Sequence, residues 1–499
     1  MLKNLFATHP IQASPHVDAG ELPHDSLQGE ASLKRVLTAR HLIMLGIGAV
    51  IGAGIFVITG QAAAEHAGPA LVISFIVAGI ACAFAGLCYA EFAAMIPVSG
   101  SAYAYSYATL GEIVAWFIGW NLVLEYLFAV ATVAAGWSGY FNECLSILGH
   151  WTGMSLALPD YLASAPFKFT DTHQIVGTGA LVNVPAMFIV GALTMLCYVG
   201  ITQSTFVNSV IVTIKVTVIL LFLVFAFRYI NPANWHPFIP AEEAPGRFGT
   251  SGIFRAAVLV FFSYVGFDAV STAAGEAKNP QRDMPIGILG SLAICTVLYI
   301  LFSHVLTGIA SVADFRTSGK EASVAYAIMH HMPGYAWLAK LVTVAILFGF
   351  TSVILVMLMG QSRVFFSMSQ DGLVPKVFSE VHPKYRTPYK ANILFFGFVG
   401  AFAGFVPGDI VGDMTSIGTL FAFVLVCIGV WVLRVRDPNA PRQFRTPLVP
   451  LVPILGVIVN GAMIFGLGWA NWLRLGIWLV IGLVIYFGYS IKHSKIRAQ

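Results

Sequence analysis

Runs of about twenty residues that are almost free of charge, separated by short charged connections, recur along this 499-residue chain. Each run is long enough to cross the roughly 30 Å hydrocarbon core of a bilayer as a helix. A chain built this way folds as a bundle of membrane helices. Two or three soluble domains are excluded, because only 10% of the residues are charged and 58% are hydrophobic, whereas a water-exposed surface of that size needs far more charge.

Twelve such stretches are legible, near 42–64, 70–95, 112–137, 181–203, 205–227, 253–274, 285–311, 334–361, 391–406, 411–433, 447–467 and 472–491. An even number puts both termini on one side. With the N-terminus inside, the cytoplasmic connections hold most of the basic residues, clustered from Lys376 to Lys390 and from Arg434 to Arg445. The outside keeps Lys168, Arg228, Arg247, Arg255, Arg316, Lys320 and Arg474. This bias places both termini in the cytoplasm. The net charge of +4 is small and forms no stripe, so nucleic acid is not an expected partner. The first forty residues are polar and lack an apolar core, which reads as a cytoplasmic tail and not a signal peptide. The connection 141–180 reads as a partly ordered outer loop, and 375–390, with Pro375, Pro383 and Pro388, as a loop or interfacial helix on the inner face. The six cysteines show no CxxC pair and no His cluster, so core packing is expected of them and no cofactor or metal.

Two stretches are interrupted in equivalent ways. The first reads Gly46-Ile47-Gly48-Ala49-Val50-Ile51-Gly52-Ala53-Gly54-Ile55-Phe56, and the sixth reads Phe261-Phe262-Ser263-Tyr264-Val265-Gly266-Phe267-Asp268. Broken helices in a bilayer are tolerated where they line a cavity. Five stretches separate the two. If the fold has two inverted five-helix repeats, these are the first helices of each repeat, and such pairs mark a midplane substrate site. The plainer account of the glycines, close helix packing, does not explain the pairing.

Unwinding at Gly52-Ala53-Gly54 frees backbone N–H groups at the start of a half-helix, where the dipole favours a carboxylate. The carbonyls of Val50, Phe262, Ser263 and Val265 lose helical partners and suit an ammonium. Donors for an anion beside acceptors for a cation describe a receptor for an α-amino acid. Phe262 and Tyr264 are large enough to close over it as gates, and Met357 in the eighth stretch is a candidate wall. Three ionisable residues lie deep in apolar stretches, Glu125, Lys215 and Asp268, and each needs a partner or a wet cavity. Low dielectric disfavours the charged form of an amine, so Lys215 is a candidate proton-coupling group, with Glu125 as a second. A structural Lys215 cation paired with carbonyls or with Glu125 is the alternative. Thr351 and Ser352 could hold a sodium ion or the Lys215 amine. Asp268 is expected to cap or anchor the second half-helix, and Glu91 to be a gate or an anchor.

These residues resemble the amino acid–polyamine–organocation superfamily, and within it bacterial members of the cationic amino acid transporter family. The likeness runs from about Arg40 to the C-terminus. It is carried by the Gly46–Phe56 run, Tyr89-Ala90-Glu91-Phe92 with Pro97-Val98-Ser99-Gly100-Ser101-Ala102-Tyr103, Gly266-Phe267-Asp268 with Asn279-Pro280-Gln281-Arg282-Asp283-Met284-Pro285, Gly360-Gln361-Ser362-Arg363, and Asp371-Gly372-Leu373-Val374-Pro375. The resemblance implies an all-α polytopic membrane protein with 12 transmembrane helices, in which helices one to ten form a LeuT-like 5+5 inverted repeat and two further helices follow. The corresponding boundaries are a tail at 1–40, a transport core at 41–434, and a final helix pair with a short tail at 435–499. It also implies that amides around Ala53 and Gly54 hold the substrate carboxylate, that carbonyls of helices one and six hold its amino group, and that Lys215 stands where sodium-coupled relatives place the ion. Ala53 and Gly275 depart from the usual pattern, so a hydroxyl contact and a first acid before Asn279 are missing.

No HExxH, GxSxG or Asp/His cluster argues for an enzyme. The expected function is import of a small neutral amino acid across the cytoplasmic membrane by proton symport with alternating access. An exchanger or a carrier of cationic amino acids is the alternative. Substrate, protons and membrane lipid are the expected partners, and an accessory subunit is not readable.

Overall fold

A computed structural model describes residues 6–8, 33–52, 54–154, 156, 158–169, 175–317, 323–406 and 412–498. The apolar stretches form helices in the expected order: α1 (Ala39–Val50), α2 (Leu71–Met95), α3 (Glu112–Thr152), α4 (Val184–Val199), α5 (Ile201–Ala226), α6 (Gly249–Phe261), α7 (Pro280–Ile309), α8 (Ala336–Gln370), α9 (Tyr389–Phe405), α10 (Gly412–Arg436), α11 (Leu451–Gly466) and α12 (Trp469–Ile485). Among the described residues, eight helical runs are long and apolar enough to cross a membrane. Helices α1, α4, α9 and α11 are apolar but shorter. The chain is a multi-pass membrane protein.

Local sequence sets the helix ends. Asn183 caps α4 by accepting from the Ala186 amide at 3.1 Å, with Pro185 in the first turn. Asn279 precedes Pro280 at the start of α7. Gly68 (φ +56) and Pro69 turn the chain between the 54–67 segment and α2.

Two helices outrun the apolar stretches that announced them. Helix α3 continues through the first part of the expected outer loop to Thr152, and α8 continues to Gln370. At 1.5 Å per residue, α3 is about 60 Å long, so its end stands clear of a bilayer. The rest of that loop carries a small antiparallel pair, β1 (Phe167–Phe169) and β2 (Ile175–Gly177). The 375–390 connector is a loop with one 3₁₀ turn at Lys376–Ser379.

The core forms where α2 and α1 pack on α7 and where α3 packs on α8. Buried ion pairs pin one end of the bundle. Glu91 accepts from Arg434 and Arg442 and from the Thr446 amide at 2.7 Å, which makes it an anchor between α2 and the segment after α10. Glu276 pairs with Arg363 on α8 at 2.6 Å. Glu112 accepts from Tyr107, Tyr486, Ser494 and Arg497, drawing the C-terminal segment onto the start of α3. Helix α12 clasps α3 through Trp120 and Trp478, whose rings stack at 4.5 Å while each indole donates to the other's carbonyl. Five of the six cysteines are buried and all are free, as core packing requires.

Candidate functional site

Both interruptions read from the glycines are present. After Val50 the backbone leaves the helix at Ile51 (φ −79, ψ 97), and helical structure resumes at Gly54. Ala53 lies outside the described residues. The sixth stretch ends α6 at Phe261, passes through a 3₁₀ turn at Phe262–Tyr264, and resumes as a 3₁₀ helix at Asp268–Glu276. Gly266 sits between them at φ +113, a conformation that residues with a Cβ rarely adopt.

The two gaps lie against each other. A Cβ on Gly54 would run into the Cα and Oγ of Ser263. A Cβ on Gly266 would lie 2.8 Å from Met357 Cε and 2.9 Å from Ala49 Cβ, and one on Gly52 would lie 2.6 Å from Val353. Helix α8 therefore walls both gaps, with Met357, 1% exposed, beside Gly266.

Carbonyls freed by the breaks converge on one side chain that the sequence did not single out. The Tyr299 hydroxyl of α7 lies 2.8 Å from the Val50 carbonyl and 2.7 Å from the Ser263 carbonyl. A hydroxyl has one proton, so it satisfies only one of these acceptors at a time. The Phe262 carbonyl accepts from the Val265 amide at 3.3 Å, and the Gly54 carbonyl from the Thr59 hydroxyl at 3.2 Å. Val265 is extended (ψ 130) and 5% exposed, which turns its carbonyl off the helical direction. The only sequence hint for Tyr299 was a phenol deep in an apolar helix, which needs a polar partner.

Lys215 is fully buried on α5. Its amine donates to Ile51 O at 2.6 Å, to Ser352 Oγ at 2.7 Å and to Gly48 O at 3.1 Å. Three acceptors meet the three protons of an ammonium. Two of them belong to the last turn of α1 and one to α8, so this side chain ties the broken helix to its neighbours. Two turns earlier on the same face of α5, Asn208 donates to Met44 O at 2.9 Å. Ser352 holds the amine as expected. Thr351 does not, since it accepts from Trp137 Nε1 at 2.9 Å and donates to Leu347 O. A pairing of Lys215 with Glu125 is also not what the structure has.

Glu125 lies instead within Coulombic range of Asp268. Both are fully buried; the Thr419 hydroxyl lies beside Glu125, and the backbone amides of Gly266 and Ala269 lie beside Asp268. Asp268 is the first residue of the second half-helix, but Phe267 holds the N-cap position and no side chain caps it, so the expected capping role is not what the structure has. The two aromatic candidates divide. Phe262 is half-buried at the break. Tyr264 is fully buried, donates to Phe75 O on α2 at 3.0 Å and packs edge-on to Tyr299, an arrangement that anchors the turn and does not leave the ring free to swing over the gap.

A multi-pass helical bundle with two helices broken side by side, and buried ionisable groups beside the breaks, is the architecture of a membrane transport protein. The chain belongs to the amino acid permease family, whose model matches residues 37–490. It is 49% identical to the branched-chain amino acid permease BcaP of Bacillus subtilis (strain 168), over 94% of this chain and 96% of that one. It is 45% identical to the methylthioribose transporter of the same organism, over 93% and 95%. It is 34% identical to the branched-chain amino acid permease BcaP of Lactococcus lactis, over 92% and 96%. The resemblance read from the glycine and Asn279–Pro285 motifs is thus borne out.

Proposed function

We propose that this protein is a secondary active importer of a small neutral amino acid, driven by proton symport, with both termini cytoplasmic and a LeuT-like 5+5 arrangement of α1 to α10. The observation that carries the coupling is the Lys215 amine, bonded to the carbonyls of Gly48 and Ile51 on one side of the first break. Protonated, it holds α1 against α5 and α8. Losing a proton leaves two N–H donors for three acceptors, which loosens α1 from the bundle and links proton release to movement of the broken helix. Glu125 and Asp268 form a second buried acidic pair through which a proton can pass.

The substrate's carboxylate is assigned to the amides at Ala53 and Gly54. Its ammonium is assigned to the carbonyls of Val50 and Ser263, of which Tyr299 leaves one unmatched at any time. Gly52 keeps this backbone accessible, Val265 adds a turned carbonyl, Met357 closes the apolar wall, and Phe262 is the gate. A relative named for methylthioribose transport, at 45% identity, means that family membership alone does not assign the substrate.

A carrier of cationic amino acids is the second reading, favoured by the fully buried carboxylates of Glu125 and Asp268, neither of which is in an ion pair among the described residues. Uptake of alanine, valine, leucine, lysine, arginine and methylthioribose into proteoliposomes, with and without an inward proton gradient, separates these readings. Gradient-driven accumulation of a neutral amino acid supports the proposal. Uptake that ignores the gradient but requires internal amino acid makes the protein an exchanger.

A further inference from the structure

Away from the two breaks, three cationic side chains from two separate segments face one cavity of about 390 Å³. Lys34 comes from the segment leading into α1, and Lys384 and Arg386 from the connector before α9. The floor is the turn between α4 and α5, including Gly200 and Gln203. No acidic residue lines this cavity, and among the described residues none of the three cations is in an ion pair.

Each wall is held from behind. The amides of Val36 and Leu37 both donate to Glu276 O at 2.9 Å, which fixes the segment carrying Lys34. The connector is tied to α4 by Thr387 Oγ1 donating to Tyr198 O at 2.8 Å. Arg386 itself is in the left-handed region (φ +54) and donates its amide to His382 O at 2.9 Å. A non-glycine residue held there carries strain that the surrounding bonds must sustain. The floor adds a fourth positive element, because the 26-residue helix α5 starts here with Gly200 at its N-cap and no side chain capping its first amides.

We propose that this cavity binds the phosphodiester headgroup of an anionic membrane lipid. Charge and exposed amides select a phosphate. Membrane lipid, and not free phosphate, is selected by what adjoins the cavity: Met195 on α4 is 60% exposed and Phe206 on α5 is 69% exposed, giving acyl chains an apolar path along the same two helices. A headgroup seated here bridges the lead-in of the broken helix α1 to the connector before α9, so its occupancy restrains α1 at its N-terminal end. The cavity shares no residue with the substrate site, and the inference does not depend on the transport reading.

Native mass spectrometry of the full chain, in detergent with equal phosphatidylglycerol and phosphatidylcholine, tests it. Wild type is expected to retain one phosphatidylglycerol under activation that strips phosphatidylcholine. Retention is expected to fall by about tenfold or more in the triple variant Lys34→Gln, Lys384→Gln, Arg386→Gln, and to persist in the charge-keeping pair Lys384→Arg, Arg386→Lys. Unchanged retention in the triple variant overturns the proposal. Should that variant unfold, the single variants Lys384→Gln and Arg386→Gln decide by the same readout, and no loss in either overturns it. Thermal protection of wild type by inorganic phosphate alone, equal to that by phosphatidylglycerol, also overturns it in favour of a free-anion site.

Discussion

Lys215 and Ile51 are joined by a 2.6 Å hydrogen bond that runs from an amine in the middle of an apolar helix to the carbonyl at which α1 leaves its helical path. Lys215→Ala removes this bond and those to Gly48 and Ser352. Proton-driven accumulation is expected to fall by more than about tenfold, equivalent to about 1.4 kcal/mol, while exchange without a gradient persists. Accumulation equal to wild type would remove Lys215 from the coupling step.

Tyr299→Phe deletes one oxygen and leaves the carbonyls of Val50 and Ser263 without their shared donor. An unpaired buried acceptor costs about 1–3 kcal/mol. The variant is expected to melt earlier in detergent and to bind substrate with altered affinity, and a wild-type melting profile would contradict this assignment.

Gly54→Ala sets a methyl group against the Ser263 backbone, which cannot rotate away. Transport is expected to be abolished in correctly inserted protein. Gly461→Ala is the control: it has open space around its Cβ, sits inside α11, and is expected to be neutral or to stabilise by about 0.5–1 kcal/mol.

Met357→Ala opens room beside Gly266. Competition assays are expected to show bulkier neutral amino acids gaining on alanine, by the roughly 10–200-fold range that a single methylene can confer. An unchanged rank order would place Met357 outside the pocket.

Arg363→Met leaves the fully buried Glu276 carboxylate uncompensated, which costs about 3–5 kcal/mol. Adding Glu276→Gln is expected to recover much of that loss, and a thermal-shift comparison of the single and double variants checks it.

Much of this was legible in residue order alone. Charge-free runs announced the helices because a bilayer demands about twenty apolar residues per crossing. The far ends of α3 and α8 were not legible: α3 runs past the bilayer, and α8 continues through Ser362, Arg363 and Ser369, polar residues buried by tertiary packing that hydropathy does not register. Both breaks were legible as well: Gly52 with Gly54, and Gly266, are anomalous in any apolar helix, and one of them adopts a φ that requires glycine. An isolated charge such as Lys215 or Glu125 is equally conspicuous, because burial without compensation is too costly to be accidental.

Partnership was decided only by the tertiary structure. Residue order offered Glu125, Thr351 and Ser352 as partners for Lys215, yet packing gives the amine to Ser352 and the carbonyls of α1, turns Thr351 to Trp137, and sets Glu125 near Asp268. Tyr299 and Tyr264 are one residue type in two apolar helices. Which of them reaches the broken carbonyls depends on the rotation of α7 against α1 and α6. A local pattern states that a buried polar group must find a partner, and only the docking of helices distant in sequence states which partner is within 3 Å.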